Sequence, residues 1–164
     1  MHAPFAIATL DLERGARIGL CRLPGRGGDL AGDAAVIADW RPALVVSMTE
    51  PAEMGARGVD PLRDELARRG IAWAHFPISD FGAPERADQR WPQLATRLHQ
   101  ALNAGGGVLL HCLGGQGRSG MVAMRLMVER GTDADKAFAA LRAVRPGAVE
   151  TKAQRAWAAM ERAG

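Results

Sequence analysis

The chain has 164 residues, 48% of them hydrophobic and 24% charged, with a formal net charge of +3. This is the balance of a globular chain and the length of one domain with a sizeable core, so residues 1–164 are expected to form a single domain. Disorder is excluded, and no stretch approaches the ~20 uninterrupted apolar residues of a membrane span. Aromatics are 5% and Tyr is absent. The densest basic run, Arg14, Arg17, Arg22 and Arg26, is interleaved with Gly and apolar residues. Neither a base-stacking platform nor a nucleic-acid surface is expected. Met1-His2-Ala3-Pro4-Phe5 lacks a basic segment leading into an apolar core. No signal peptide is read there, and a cytoplasmic location is the expectation.

Gly and Pro divide the chain into short strands and longer helices. Phe5–Leu12 and Arg17–Leu23 read as strands around a turn at Gly15, followed by the loop Leu23–Gly28. Asp29 caps a helix to about Trp40, with Leu30, Ala34, Ile37 and Ala38 on one face. Ala43–Met48 is a buried strand. Gly25–Gly28 and Glu50–Gly58 are expected at the rim of any site. Asp60-Pro61 reads as a cap followed by Pro at the first helical position, and Gly70 closes that helix. Ile71–Ile78 is a strand; Trp91, Leu94, Ala95, Leu98, Ala101 and Leu102 keep helical spacing until Gly105. Val108-Leu109-Leu110 is a short apolar strand, and Met121–Val128 a buried helix starting near Ser119. Thr132 caps the next helix, and the last begins at about Lys152. Strands alternating with helices predict an α/β fold with a central, mostly parallel sheet flanked by helices. Ligands of such sheets sit beyond the carboxyl ends of the strands, where the loop after Leu110 lies.

That loop is His111-Cys112-Leu113-Gly114-Gly115-Gln116-Gly117-Arg118-Ser119-Gly120. Gly114, Gly115 and Gly117 permit a tight curl in which the N–H groups of residues 113–118 converge on an anion, helped by the positive end of the next helix. Such a nest binds phosphate and favours a thiolate on Cys112. Arg118 adds a planar, bidentate fork. The nucleotide-binding P-loop is excluded, since it ends in Gly-Lys-Ser/Thr. A cysteine at the mouth suits attack on phosphorus. With only two cysteines, Cys21 and Cys112, a Cys-only zinc site is excluded.

HCLGGQGRSG resembles the HCxxGxxRS/TG signature of protein tyrosine phosphatases in their small dual-specificity form. The pattern is nearest to the kinase-associated phosphatase group and its bacterial relatives. The segments Leu20–Gly25, Phe76–Pro84 and Gly147–Gln154 fall in matching order, so the likeness covers roughly Arg17 to Trp157. It implies a dual-specificity-phosphatase-like fold. It also implies hydrolysis of phosphotyrosine, with phosphoserine and phosphothreonine as further candidate substrates, on a phosphorylated protein or peptide. Cys112 is then the nucleophile and Arg118 the phosphate clamp, with Leu113, Gly114, Gly115, Gln116 and Gly117 completing the substrate cradle. No cofactor or metal is implied.

Asp80 matches the family's proton donor in Pro-Ile-x-Asp-x-x-x-Pro; on spacing alone it reads equally as a turn cap, and Glu85 and Asp88 are the fallbacks. Ser119 is either a helix cap or a donor to the Cys112 sulfur. His111 orders the loop. Gln154 matches the family's water-positioning glutamine, yet Thr151-Lys152-Ala153-Gln154 is a capping box in its own right. Cys21 reads as a buried strand cysteine, the alternative being a protective disulfide with Cys112. His75 and His99 have no ligand cluster in sequence, and the four Trp read as core anchors. Two other function classes stay open: a phosphatase for a small-molecule phosphate, and a non-catalytic module that binds phosphorylated partners. A phosphoinositide is disfavoured, because Leu113 and Gln116 stand where lysines would help.

Overall fold

The computed structural model describes residues 3–162. Five strands form one sheet: β1 (Ala8–Asp11), β2 (Arg17–Cys21), β3 (Pro42–Ser47), β4 (Trp73–His75) and β5 (Gly107–His111). Their order is β1-β2-β5-β3-β4. β1 runs antiparallel to β2 and every other neighbouring pair is parallel. The mostly parallel α/β sheet expected from the alternating pattern is therefore present. The helices are α1 (Leu30–Trp40), α2 (Pro51–Ala56), α3 (Leu62–Arg68), α4 (Arg90–Asn103), α5 (Gly117–Glu129), α6 (Ala134–Val144) and α7 (Lys152–Ala158). None is long and apolar enough to cross a membrane, among the described residues.

Alternation along the strands fills two cores. Ile18, Leu20, Leu44, Val46, Val108 and Leu110 face one side, against buried residues of α4, α5, α6 and α7. Cys21, Val45 and Leu109 face the other, against Ile37 of α1, Met54 of α2, and Leu62 and Leu66 of α3. Residues 117–128 of α5 are all buried. This central helix thus runs back through the larger core from the carboxyl edge of the sheet.

Several boundaries differ from expectation for local reasons. β4 is only three residues long, although Phe76 N and Ile78 N still donate to Ser47 O and Met48 O. α6 is capped by Asp133, whose carboxylate accepts from Asp135 N and Lys136 N, and not by Thr132. Pro61 takes the cap position of α3 and Leu62 starts it, one residue later than the Asp60-Pro61 reading. α2 lies inside the Glu50–Gly58 segment; Pro51 opens it, and the carboxylate of its third residue, Glu53, accepts from Glu50 N at 2.7 Å. Six residues are too few to show a period in sequence. By contrast, Asp29 caps α1 as expected, accepting from Gly32 N.

Candidate active site

The loop between β5 and α5 shows how an anion cradle is made from carbonyls. The C=O of one residue and the N–H of the next share a planar trans peptide and point opposite ways. Pinning each carbonyl outward therefore aims the following N–H inward. Leu113 O accepts from Leu23 N at 3.1 Å and from Arg26 at 3.1 Å. Gly114 O and Gly115 O accept from Arg145 at 2.6 and 3.0 Å. Gln116 O accepts from Gly120 N and Val149 N at 2.9 and 3.2 Å. The N–H groups of Leu113, Gly114, Gly115 and Gln116 donate to no described residue. Gly117, Arg118 and Ser119 open α5, where no preceding carbonyl is in helical register to receive them.

The glycines differ in necessity. Gly115 has φ +74°, and a Cβ there would lie 2.5 Å from the carbonyl carbon of Cys21. Gly117 is helical, but a Cβ would lie 2.2 Å from a Glu150 carboxylate oxygen. Gly114 has neither constraint: its φ is not positive and a Cβ would meet open space. The expectation that all three serve unusual backbone angles is corrected to Gly115 alone. The side chains of Leu113 and Gln116 turn away from the cradle: Leu113 packs on the α1/α3 core and Gln116 lies against Gly147. Only their backbone borders the cradle.

Cys112 is 3% exposed, with Sγ 3.2 Å from Ser119 Oγ. α5 starts at Gly117, two residues earlier than expected, so Ser119 is not a helix cap and its hydroxyl is released for the sulfur. Cys21 ends β2 opposite His111 and is a free thiol, as is Cys112. Burial pushes the Cys21 thiol well above its usual range, and nearby Cys112 adds to this. Cys21 therefore behaves as a protonated packing group.

Arg118 is 1% exposed. Nη1 and Nη2 donate to the two carboxylate oxygens of Glu53, both at 2.7 Å, and Nη1 also donates to Ile78 O at 2.9 Å. Nε is buried and meets no acceptor among the described residues. Of five guanidinium N–H groups, Glu53 and Ile78 thus engage three. The two that remain, on Nε and Nη2, form the parallel edge of the fork that suits a phosphate. Burial opposes the Arg118 cation, but the Glu53 hydrogen bonds and the Cys112, Glu53 and Asp80 charges outweigh it and raise its pKa. Glu53 is the principal residue that sequence reasoning missed. The Glu-Pro-x-Glu run announces a short helix start, but nothing in it points to Arg118.

Asp80 lies 3.3 Å from Arg118 Nη2, so the structure brings it to the cradle. Oδ1 also accepts from Phe81 N. Phe81 is 58% exposed and has φ +61°, an uncommon angle for a residue with a side chain. Its carbonyl accepts from Thr151 Oγ1. Of the fallback acids, Asp88 is held by Arg90 at 2.7 Å, and that hydrogen bond lowers its pKa, the wrong direction for a proton donor. Glu85 is simply exposed. Gln154 is fully buried; Oε1 accepts from Glu150 N and Thr151 N, and Nε2 donates to Gly82 O. The capping box is real, and the same amide tethers the Asp80 loop to α7. His111 is buried between Ser47 and the Cys112 carbonyl, and burial lowers its pKa to about 4.

Comparison with known proteins agrees with this geometry. Residues 35–132 match the family described as "Polymorphic toxin system, DSP-PTPase phosphatase". No curated protein sequence matches the chain. Among solved structures it is similar to a kinase associated phosphatase (KAP) carrying serine for its catalytic-site cysteine. The TM-score is 0.84 at 26% identity, over 96% of this chain and 94% of that one. It is also similar to Tk-PTP in its active form, with TM-score 0.70 at 30% identity, over 85% and 87%. Human DUSP28, 19% identical, shares the fold with TM-score 0.61 over 96% and 92%. The chain belongs to the dual-specificity phosphatase superfamily, close to the kinase associated phosphatase.

Proposed function

We propose that this phosphatase hydrolyses phosphotyrosine on protein or peptide through a cysteinyl-phosphate intermediate. The observation that carries the reading is convergence: Cys112 Sγ, the unpartnered Nε of Arg118, the inward N–H groups and Asp80 surround one cradle. The Cys112 thiolate attacks phosphorus in line and the bond to the leaving oxygen breaks. Asp80 gives that oxygen its proton, while Arg118 and the loop N–H groups hold the equatorial oxygens. Water, deprotonated by Asp80, then attacks the phosphocysteine. The Ser119 hydroxyl, 3.2 Å from Sγ, eases departure of the thiolate.

Phe81 supports an aryl substrate. Exposed and next to Asp80, it offers an apolar wall for the ring of a tyrosyl leaving group. The test is hydrolysis of an aryl phosphate and of matched phosphotyrosine and phosphoserine peptides, with chelator present. Turnover is expected on the aryl phosphate and the phosphotyrosine peptide. It vanishes in Cys112→Ser and falls about 10²–10⁴-fold in Asp80→Asn. Turnover by Cys112→Ser would sink the mechanism. Phosphate binding without turnover would make the chain a recognition module, and equal rates on a small aliphatic phosphate would overturn the phosphotyrosine assignment.

A further inference from the structure

One carbonyl of the loop, that of Cys112 itself, is held by a chain of groups that runs across the sheet. Ser47 ends β3 directly opposite His111 at the end of β5. Both are fully buried and point to the α1/α3 side, as Val45 and Leu109 do. Ser47 Oγ is hydrogen-bonded to His111 Nε2, and Trp73 Nε1 of β4 donates to the same Oγ at 2.7 Å. His111 Nδ1 lies 3.5 Å from Cys112 O.

The direction of this chain follows from its ends. An indole N–H only donates, and a carbonyl only accepts. Cys112 O can be satisfied only if the proton sits on His111 Nδ1. Burial keeps the ring neutral, with Cys112 O opposing this and the His75 and Arg118 charges adding to it. A neutral ring protonated at Nδ1 has an acceptor at Nε2. Ser47 then accepts from Trp73 and gives its single hydroxyl proton to Nε2. No other acceptor for Ser47 Oγ is present among the described residues.

We propose that Trp73 and Ser47 are positioning residues for this site. Through His111 they turn the Cys112–Leu113 peptide so that Leu113 N–H faces the phosphate. The consequence for function rests on the phosphatase reading, but the arrangement does not. Cys112 O is the one loop carbonyl held by a side chain whose proton can move between two atoms. Arg145 and Arg26, which hold its neighbours, are fixed donors. A second donor-only group is therefore needed upstream to bias that proton, and Trp73 supplies it.

The test uses two readouts independent of turnover, so an inactive protein would sink the function without touching this proposal. The first is the tautomer of His111 in the intact wild-type protein near pH 7, read from its ring ¹⁵N shifts. A proton on Nδ1 is expected; one on Nε2 overturns the proposal. The second is binding of inorganic phosphate, followed at the Leu113 amide. Trp73→Phe keeps an aromatic ring and removes the donor. It is expected to mix the tautomers and weaken phosphate roughly 3- to 10-fold, near the tenfold that 1.4 kcal/mol represents. Ser47→Ala is expected to do the same and serves if Trp73→Phe fails to fold. A folded variant with unchanged phosphate affinity overturns the positioning role.

Discussion

Two arginines seven residues apart on α5, Arg118 and Arg125, are each paired with a glutamate, and the pairs are built to opposite ends. Arg125 donates from Nε to Glu129 at 2.6 Å and from Nη1 to Trp157 O at 2.9 Å. Its guanidinium lies 4.5 Å from the Trp157 ring centroid and 5.6 Å from that of Trp91. Glu129 also accepts from His99 and Trp91 at 2.9 and 2.8 Å. Burial alone would raise the Glu129 pKa, but these three donors pull it down to about 2. The result is a closed network joining α4, α5 and α7. The Arg118–Glu53 pair is left open: Nε is buried without a partner and Glu53 is partly exposed. A closed buried network stabilises, whereas an open one holds donors ready for a ligand.

The comparison breaks hardest if Arg118 proves structural. Arg118→Lys should lower kcat/KM at least about 10²–10³-fold, because a point charge cannot replace the fork. Its melting temperature should stay close to wild type. Loss of stability with retained turnover would reverse the roles of the two pairs.

Glu129→Gln should do the opposite. Leaving Arg125 buried and unmatched should cost about 3–5 kcal/mol. Denaturant unfolding measures this, and kcat of the folded protein should stay within about twofold of wild type.

Acid sharpens the contrast further. The folded pKa of His111 is depressed from 6.5 to about 4. Between those values the unfolded chain binds a proton that the folded chain refuses. Stability is therefore full above pH 6.5 and falls, by about 3 kcal/mol, as pH drops to 4. Glu129, depressed from 4.5 to about 2, adds a second loss only below pH 4.5. Unfolding free energies measured from pH 7 to pH 3 should show the decline in that order, and a flat profile from pH 6.5 to 4 would contradict a buried neutral His111.

The smallest effect should come from Glu53→Gln. One of two charge-assisted bonds to Arg118 is lost, so KM for an aryl phosphate should rise about tenfold with a smaller change in kcat. An unchanged KM would show that Arg118 holds its edge without Glu53.

The legible parts of this protein are the contiguous ones. Cys112 through Ser119 read directly as an anion cradle, because the chemistry of a tight loop and a helix start lies in eight successive residues. The Asp29 cap and the Thr151–Gln154 capping box were visible for the same reason. Asp80 was singled out as the candidate acid by resemblance, since its spacing alone also fits a turn. α2 stayed hidden because six residues carry no period.

What the tertiary structure alone decided is how the cradle is held. Glu53 meets Arg118 across 65 residues, Arg145 meets Gly114 across 31, and Ser47 meets His111 across 64. Each contact depends on strand order and register. β3 and β5 are neighbours only because the chain crosses over between them. The sequence determined the groups proposed to bind phosphate, since backbone N–H groups and one arginine are local. Their aim was decided by remote donors that pin the outward carbonyls, which no reading of adjacent residues can supply.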